Sequence, residues 1–122
     1  MSAAGDRLQD TARQAALALP GTDHGYPFTQ HLDVYKVAGK VFLIVTDDPD
    51  DQIITVKSEP EHARAQVRRY ATITPGRYLD KRHWISLGPG PGITKRLVTD
   101  AVEDSYDLAV ERLPRRDRPG AR

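Results

Sequence analysis

Between Val34 and Val56, three runs of β-forming residues are joined by connections too short to hold a crossover helix. Parallel neighbours need a crossover of about a dozen residues, so these strands pair antiparallel. The first run, Val34-Tyr35-Lys36-Val37, alternates apolar and polar residues. Ala38-Gly39 turns the chain into Val41-Phe42-Leu43-Ile44-Val45, which is apolar on both faces and therefore central. Asp47-Asp48-Pro49-Asp50-Asp51 reads as a polar loop before a third strand, Ile53-Ile54-Thr55-Val56. Two shorter strands follow, at Ala71-Thr72-Ile73-Thr74 and at Arg82-His83-Trp84-Ile85-Ser86-Leu87.

Helical spacing brackets these strands. Leu8, Ala12, Ala15 and Leu19 form one stripe over residues 6–19, which Pro20-Gly21 stops. Pro20, Gly21, Gly25 and Pro27 make residues 20–32 a loop. Ser58 and Glu61 have the spacing of a capping box, with Pro60 suited to a first turn. In the helix that follows, Ala63, Val67 and Tyr70 face inward, and Arg64, Arg68 and Arg69 lie on or beside the opposite side. Gly88-Pro89-Gly90-Pro91-Gly92 is a connector, because its prolines remove amides that a phosphate-binding loop would use. The last helix spans about Thr94 to Leu113 on the stripe Val98, Val102, Tyr106, Ala109 and Leu113, and Pro114 ends it.

The order α-β(3)-α-β(2)-α predicts an α+β fold in two layers: a mainly antiparallel five-stranded sheet with helices on one face. Trp84 and Tyr106 are expected in the core. Residues 1–114 form a single domain, and residues 115–122, lacking any core former, read as a flexible tail.

The chain has 122 residues and no cysteine, which excludes disulfides, thiolate catalysis and Cys-ligated metal sites. No stretch approaches the ~20 apolar residues of a membrane span, and Met1 to Asp6 lacks the pattern of a signal peptide. A cytoplasmic location without membrane contact is expected. The net charge of +1 conceals an asymmetry. Residues 1–56 carry four basic and eight acidic side chains, residues 57–96 nine basic and three acidic, and residues 97–122 five basic and six acidic. A strongly basic segment of this kind can mark an anion-binding face.

Several blocks together resemble one family. Leu19-Pro20-Gly21, Val37-Ala38-Gly39-Lys40-Val41-Phe42, Val56-Lys57 with Pro60-Glu61, Pro75-Gly76-Arg77-Tyr78, Lys81-Arg82-His83-Trp84-Ile85 and Asp104-Ser105-Tyr106-Asp107-Leu108 are similar to the MmcQ/YjbR family over about residues 8–114. The resemblance implies a two-layer fold similar to secretion chaperones. It also implies DNA binding, by analogy with double-wing DNA-binding arrangements, and it implies no catalytic residues.

The residues themselves agree with a non-enzymatic reading. Arg64 and Arg68, one helical turn apart, point the same way, and Arg77, Lys81 and Arg82 follow in the next loop and strand entry. These five are the expected phosphate contacts on double-stranded DNA, and Tyr78 is the expected base-stacking residue. Lys40, Lys57 and Lys81 could converge on one anion, although lysines in or beside strands also serve to blunt exposed edges. Asp23-His24 and His31-x-Asp33 do not supply the three convergent ligands of a catalytic metal site. Ser105 and His83 lack a nucleophile elbow, and Ser105 reads as a small residue at a packing contact. No cofactor, metal or catalytic residue is expected. The alternative class is a protein-interaction or dimerisation module using an uncovered sheet face, with Phe42, Ile44, Ile54 or Trp84 exposed on it. The position of the acidic loop at residues 47–51 bears on the choice: beside Arg64 and Arg68 it would cancel their field.

Overall fold

The computed structural model describes residues 3–77 and 79–120. Along the chain lie α1 (Ala3–Leu17), β1 (Thr22–Gly25), β2 (Leu32–Val37), β3 (Lys40–Asp48), β4 (Asp51–Lys57), α2 (Pro60–Arg69), β5 (Ile73–Pro75), β6 (Trp84–Leu87) and α3 (Lys95–Glu111). The strands form one sheet in the order β1-β2-β3-β4-β6-β5, and every neighbouring pair is antiparallel. The class and element order follow the sequence expectation, with one correction: the sheet has six strands, not five. The extra strand, Thr22-Asp23-His24-Gly25, lies in the segment read as a loop. Its residues are poor β-formers, and the ladder to β2, from Thr22 opposite Val37 to Gly25 opposite Val34, imposes the extended conformation.

A single core fills the space between one sheet face and the helices. Tyr35, Val37, Leu43, Val45, Ile54, Val56, Ile85 and Leu87 pack there against Leu8, Ala12 and Ala16 of α1, Ala63 of α2, and Val98, Val102, Tyr106 and Ala109 of α3. All three helices therefore share one face. Phe42 joins the same core through a bulge. Tyr35 pairs with Leu43 but Lys36 with Val41, so Phe42 is the extra residue and turns inward, where it meets the Tyr106 ring edge-on at 5.3 Å.

A bulged residue leaves ladder groups unpaired, and α3 supplies a partner. The buried Ser105 Oγ donates to the Phe42 carbonyl at 2.6 Å and accepts from the Lys57 amide at 2.8 Å. The small residue expected at this packing contact is thus also a hydrogen-bonding clamp between α3 and two strands. On α1, the buried Gln9 acts similarly: its Nε2 donates to the carbonyls of Thr46 and Ile53.

The second sheet face carries no helix, yet Val34, Ile44, Thr55 and Ser86 are buried there. The segment after β5 folds back over it: the Arg77 amide donates to Ser86 Oγ, and the Arg77 guanidinium pairs with Asp51. Gly76 permits that turn, since a Cβ at this position would lie 2.6 Å from the Trp84 Cβ. Phe42 and Ile54 lie in the core and Ile44 is covered, so the uncovered apolar face expected of an interaction module is not formed by these residues. Trp84, expected in the core, is only half-buried and lies outside the core cluster, with the Lys57 ammonium 5.8 Å from its ring centroid. Alternation along β6 explains this: Ile85 and Leu87 face the helices, so Trp84 and Ser86 face away.

Two further local expectations are modified. The capping box at α2 does not form. The Ser58 amide donates to the His83 carbonyl, which holds Ser58 as an extension of the ladder, and Glu59 becomes the N-cap without a side-chain bond. At α3, Thr94 is a true cap, accepting from the Leu97 amide at 3.1 Å. Residues 115–120, read as a tail, form a short 3-10 turn at Arg115–Asp117, and Arg118 donates to the carbonyls of Leu113 and Glu111.

The β2–β3 hairpin turns through Ala38 at φ 47° and Gly39 at φ 81°. Both central residues are left-handed, as a type I′ turn requires, and an alanine is strained there by ~1 kcal/mol. Ala38→Asn is expected to raise stability by about 0.5–1 kcal/mol, measured as a shift in urea midpoint at unchanged slope.

Candidate nucleic-acid interface

The strand register brings basic residues together at one end of the sheet. β3 begins at Lys40 and β4 ends at Lys57, and Leu43 lies opposite Val56, so both lysines stand at the same end of adjacent strands. The α3 C-cap, Arg112, reaches the same region. Burial, then the charges of Arg112 and Lys40, pull the Lys57 ammonium below the usual lysine range, while Glu59 and Asp80 act the other way. Lys81 and Arg82, both exposed, lie in the loop that docks here through the bond from the Ser58 amide to the His83 carbonyl. Asp80 organises that loop. It accepts from the Arg82 amide at 2.9 Å and lies 2.7 Å from His83 Nδ1, and these two bonds hold its carboxyl below the usual range.

The residues singled out in the sequence are distributed as follows. Lys81 and Arg82 lie at this sheet end. Arg64 and Arg68 lie on the exposed side of α2, and among the described residues neither has an acidic partner within 4.0 Å. Arg77 is apart from both groups, on the second sheet face and paired with Asp51. Tyr78 lies outside the described residues. Of the lysine set Lys40, Lys57 and Lys81, Lys40 and Lys57 stand at the same end of adjacent strands, and Arg112 lies near enough to act on Lys57. Sequence inspection missed Arg112 because it belongs to a segment with balanced charge; only the docking of α3 by Ser105 carries it to the lysines.

The acidic loop is not beside Arg64 and Arg68 as an ion-pair partner. Asp47 pairs with Arg13 and Asp51 with Arg77. The β3–β4 hairpin that carries them closes at Asp48 opposite Asp51, six residues along β4 from Lys57. That separation is ~20 Å along a strand. It is about twice the distance over which physiological salt screens a charge.

A second polar cluster has a different character. Asp33 is 2% exposed and accepts from Tyr35 Oη at 2.9 Å. Its carboxylate also lies 2.9 Å from His24 Nδ1 and 3.5 Å from Arg13 Nε. The His24 and Tyr35 rings stack at 4.6 Å. Among the described residues, no group of three or more His, Asp and Glu is placed to hold a metal ion. No helix among them is long and apolar enough to cross a membrane.

This architecture, three helices on one face of an antiparallel six-stranded sheet, is an α+β fold. The YjbR family model matches residues 17–108, and the chain belongs to that family. It is 37% identical over 117 residues to the uncharacterized protein YbdF of Escherichia coli O157:H7, covering 93% of this chain and 96% of that one. It is 25% identical over 105 residues to the uncharacterized protein YjbR of Escherichia coli strain K12, covering 86% and 89%. Among solved structures, Deinococcus radiodurans protein DR2400 superposes with a TM-score of 0.79 at 21% identity, over 88% of this chain and 83% of that one. A Pseudomonas syringae protein gives 0.62 at 19% identity, over 89% and 99%. At these identities the two structures establish the shared fold.

Proposed function

We propose that this protein is a non-enzymatic binder of double-stranded DNA that contacts phosphates through the cationic end of its sheet. The observation that carries this reading is the convergence of Lys40, Lys57 and Arg112 from three separate elements. Lys81 and Arg82 flank them, and the arginines of α2 extend the surface. Cations brought together by folding repel one another, so the arrangement is relieved by an anion. Phosphate contact of this kind positions a protein without reading sequence, so low sequence selectivity is expected. Fluorescence anisotropy of a labelled duplex at several salt concentrations tests it. With three to five phosphates neutralised, the logarithm of affinity should fall with the logarithm of salt at a slope of about −3 to −4.5. No binding at low salt would end the proposal.

The site also sets a pH dependence. A phosphate favours charged Lys57, whereas the free protein lowers its pKa. Affinity should therefore fall as pH rises through the lowered Lys57 value, before ordinary lysines titrate. Lys57→Arg, which stays charged, should remove that early decline. Anisotropy between pH 7 and 10 measures it, and an unchanged profile in the variant would exclude Lys57 from contact.

A further inference from the structure

On the helix side, α1 and α3 pack against each other and over β3 and β4, while α2 sits on β5 and β6. Between α2 and α3 this leaves a cleft of about 440 Å³. That volume is within the ~300–1,000 Å³ of small-molecule sites. Val56, Ile85 and Leu87 form its floor, and Leu97, Ala101 and Leu108 its apolar wall. The rim is acidic: Asp100, Asp104 and Asp107 on α3, and Glu59 at the head of α2. Gln66 also lines the cleft, and its buried Oε1 has no hydrogen-bond partner among the described residues. Among the described residues Lys57 and His62 are the basic side chains lining it, and the Lys57 ammonium lies over the Trp84 ring, which faces the other side of the sheet.

We infer that this cleft binds a small apolar amine, with the hydrocarbon body along the half-buried Leu97, Ala101 and Leu108 wall and the ammonium at the carboxylate rim. Charge complementarity selects the cation: Asp104, Asp107 and Glu59 border an apolar trough, together with Asp100, which Arg96 shares at 3.4 Å. Size selects a small molecule over a protein partner. The floor residues are each less than 5% exposed, so the open surface falls well short of the ~800 Å² per side of a stable protein interface. A bound N–H would also give the Gln66 acceptor a partner. Lys57 borders both this cleft and the sheet end, but the test contains no nucleic acid and alters no sheet-end residue, so the two readings fail separately.

The probes are n-octylamine, 1-octanol and octanoate, titrated into the full chain and followed by NMR of the Leu97, Leu108, Ile73 and Ile85 methyl groups. Octylamine should bind at least tenfold more tightly than either of the others and shift these methyls. The double variant Asp100→Asn/Asp104→Asn, altered only at exposed positions, should lose most of that preference while its octanol affinity stays unchanged. Ala101→Phe should weaken all three probes. Equal binding of amine, alcohol and carboxylate would overturn the inference, as would shifts confined to other methyls. Binding of a Leu/Lys peptide without binding of octylamine would overturn it too, assigning the cleft to a protein partner.

Discussion

Reversing Lys40, Lys57 and Arg112 together to Glu is expected to reduce duplex affinity at 50 mM salt by about 10²-fold or more and to flatten the salt slope by about three. The size of the effect follows from placement. Three separate elements deliver these charges to one sheet end, so a single duplex can meet all three. Arg64→Glu/Arg68→Glu changes two exposed side chains on α2, and its effect should be smaller. Circular dichroism and thermal unfolding of each variant separate loss of contact from loss of fold. An α2 variant that loses more affinity than the sheet-end variant would move the interface onto the helix.

The largest expected stability effect lies in the Asp33 cluster. Asp33→Ala removes the acceptor of a buried tyrosine hydroxyl and one carboxylate partner of Arg13 and His24. Leaving a buried group unpaired and breaking a mostly buried ion pair should cost ~2–4 kcal/mol; Arg13 is partly exposed and keeps Asp47, which holds the figure below that of a fully buried pair. Urea unfolding measures it, and a loss under about 1 kcal/mol would show that water replaces the carboxylate. The same cluster sets an alkaline limit. Burial, then the hydrogen bond to Asp33, raises the Tyr35 pKa. The unfolded chain releases this proton near the ordinary tyrosine value of about 10, while the folded chain retains it, so stability falls as pH rises beyond that point. Tyr35→Phe should be less stable at neutral pH and should lose less stability above about pH 10.

Periodicity made most of the fold legible. The alternation at Val34–Val37, the doubly apolar Val41–Val45 run and the stripe from Val98 to Leu113 each report a burial pattern that the core reproduces. β1 was not legible, because its four residues are extended by their neighbour and not by their own preference. Trp84 misled for a related reason: size suggested the core, while alternation with Ile85 and Leu87 placed it on the other face. The basic site was half legible. Lys40 and Lys57 stand out as charges at strand ends, and hairpin register is enough to unite them. Arg112 depends on how α3 crosses the sheet, which the Phe42 bulge and the Ser105 bonds determine. Arg77 looked equivalent to Lys81 and Arg82 along the chain, but the close turn at Gly76 turns it onto the second face and toward Asp51.

The most direct measurement is an NMR titration of the ¹⁵N-labelled chain with a short duplex. The account predicts fast-exchange, salt-sensitive shifts centred on the amides of Lys40, Lys57, Lys81, Arg82 and Arg112, with weaker changes along the exposed side of α2 and none around Asp33. Shifts centred on the β1 edge or the cleft between α2 and α3, or no shifts at low salt, would contradict it.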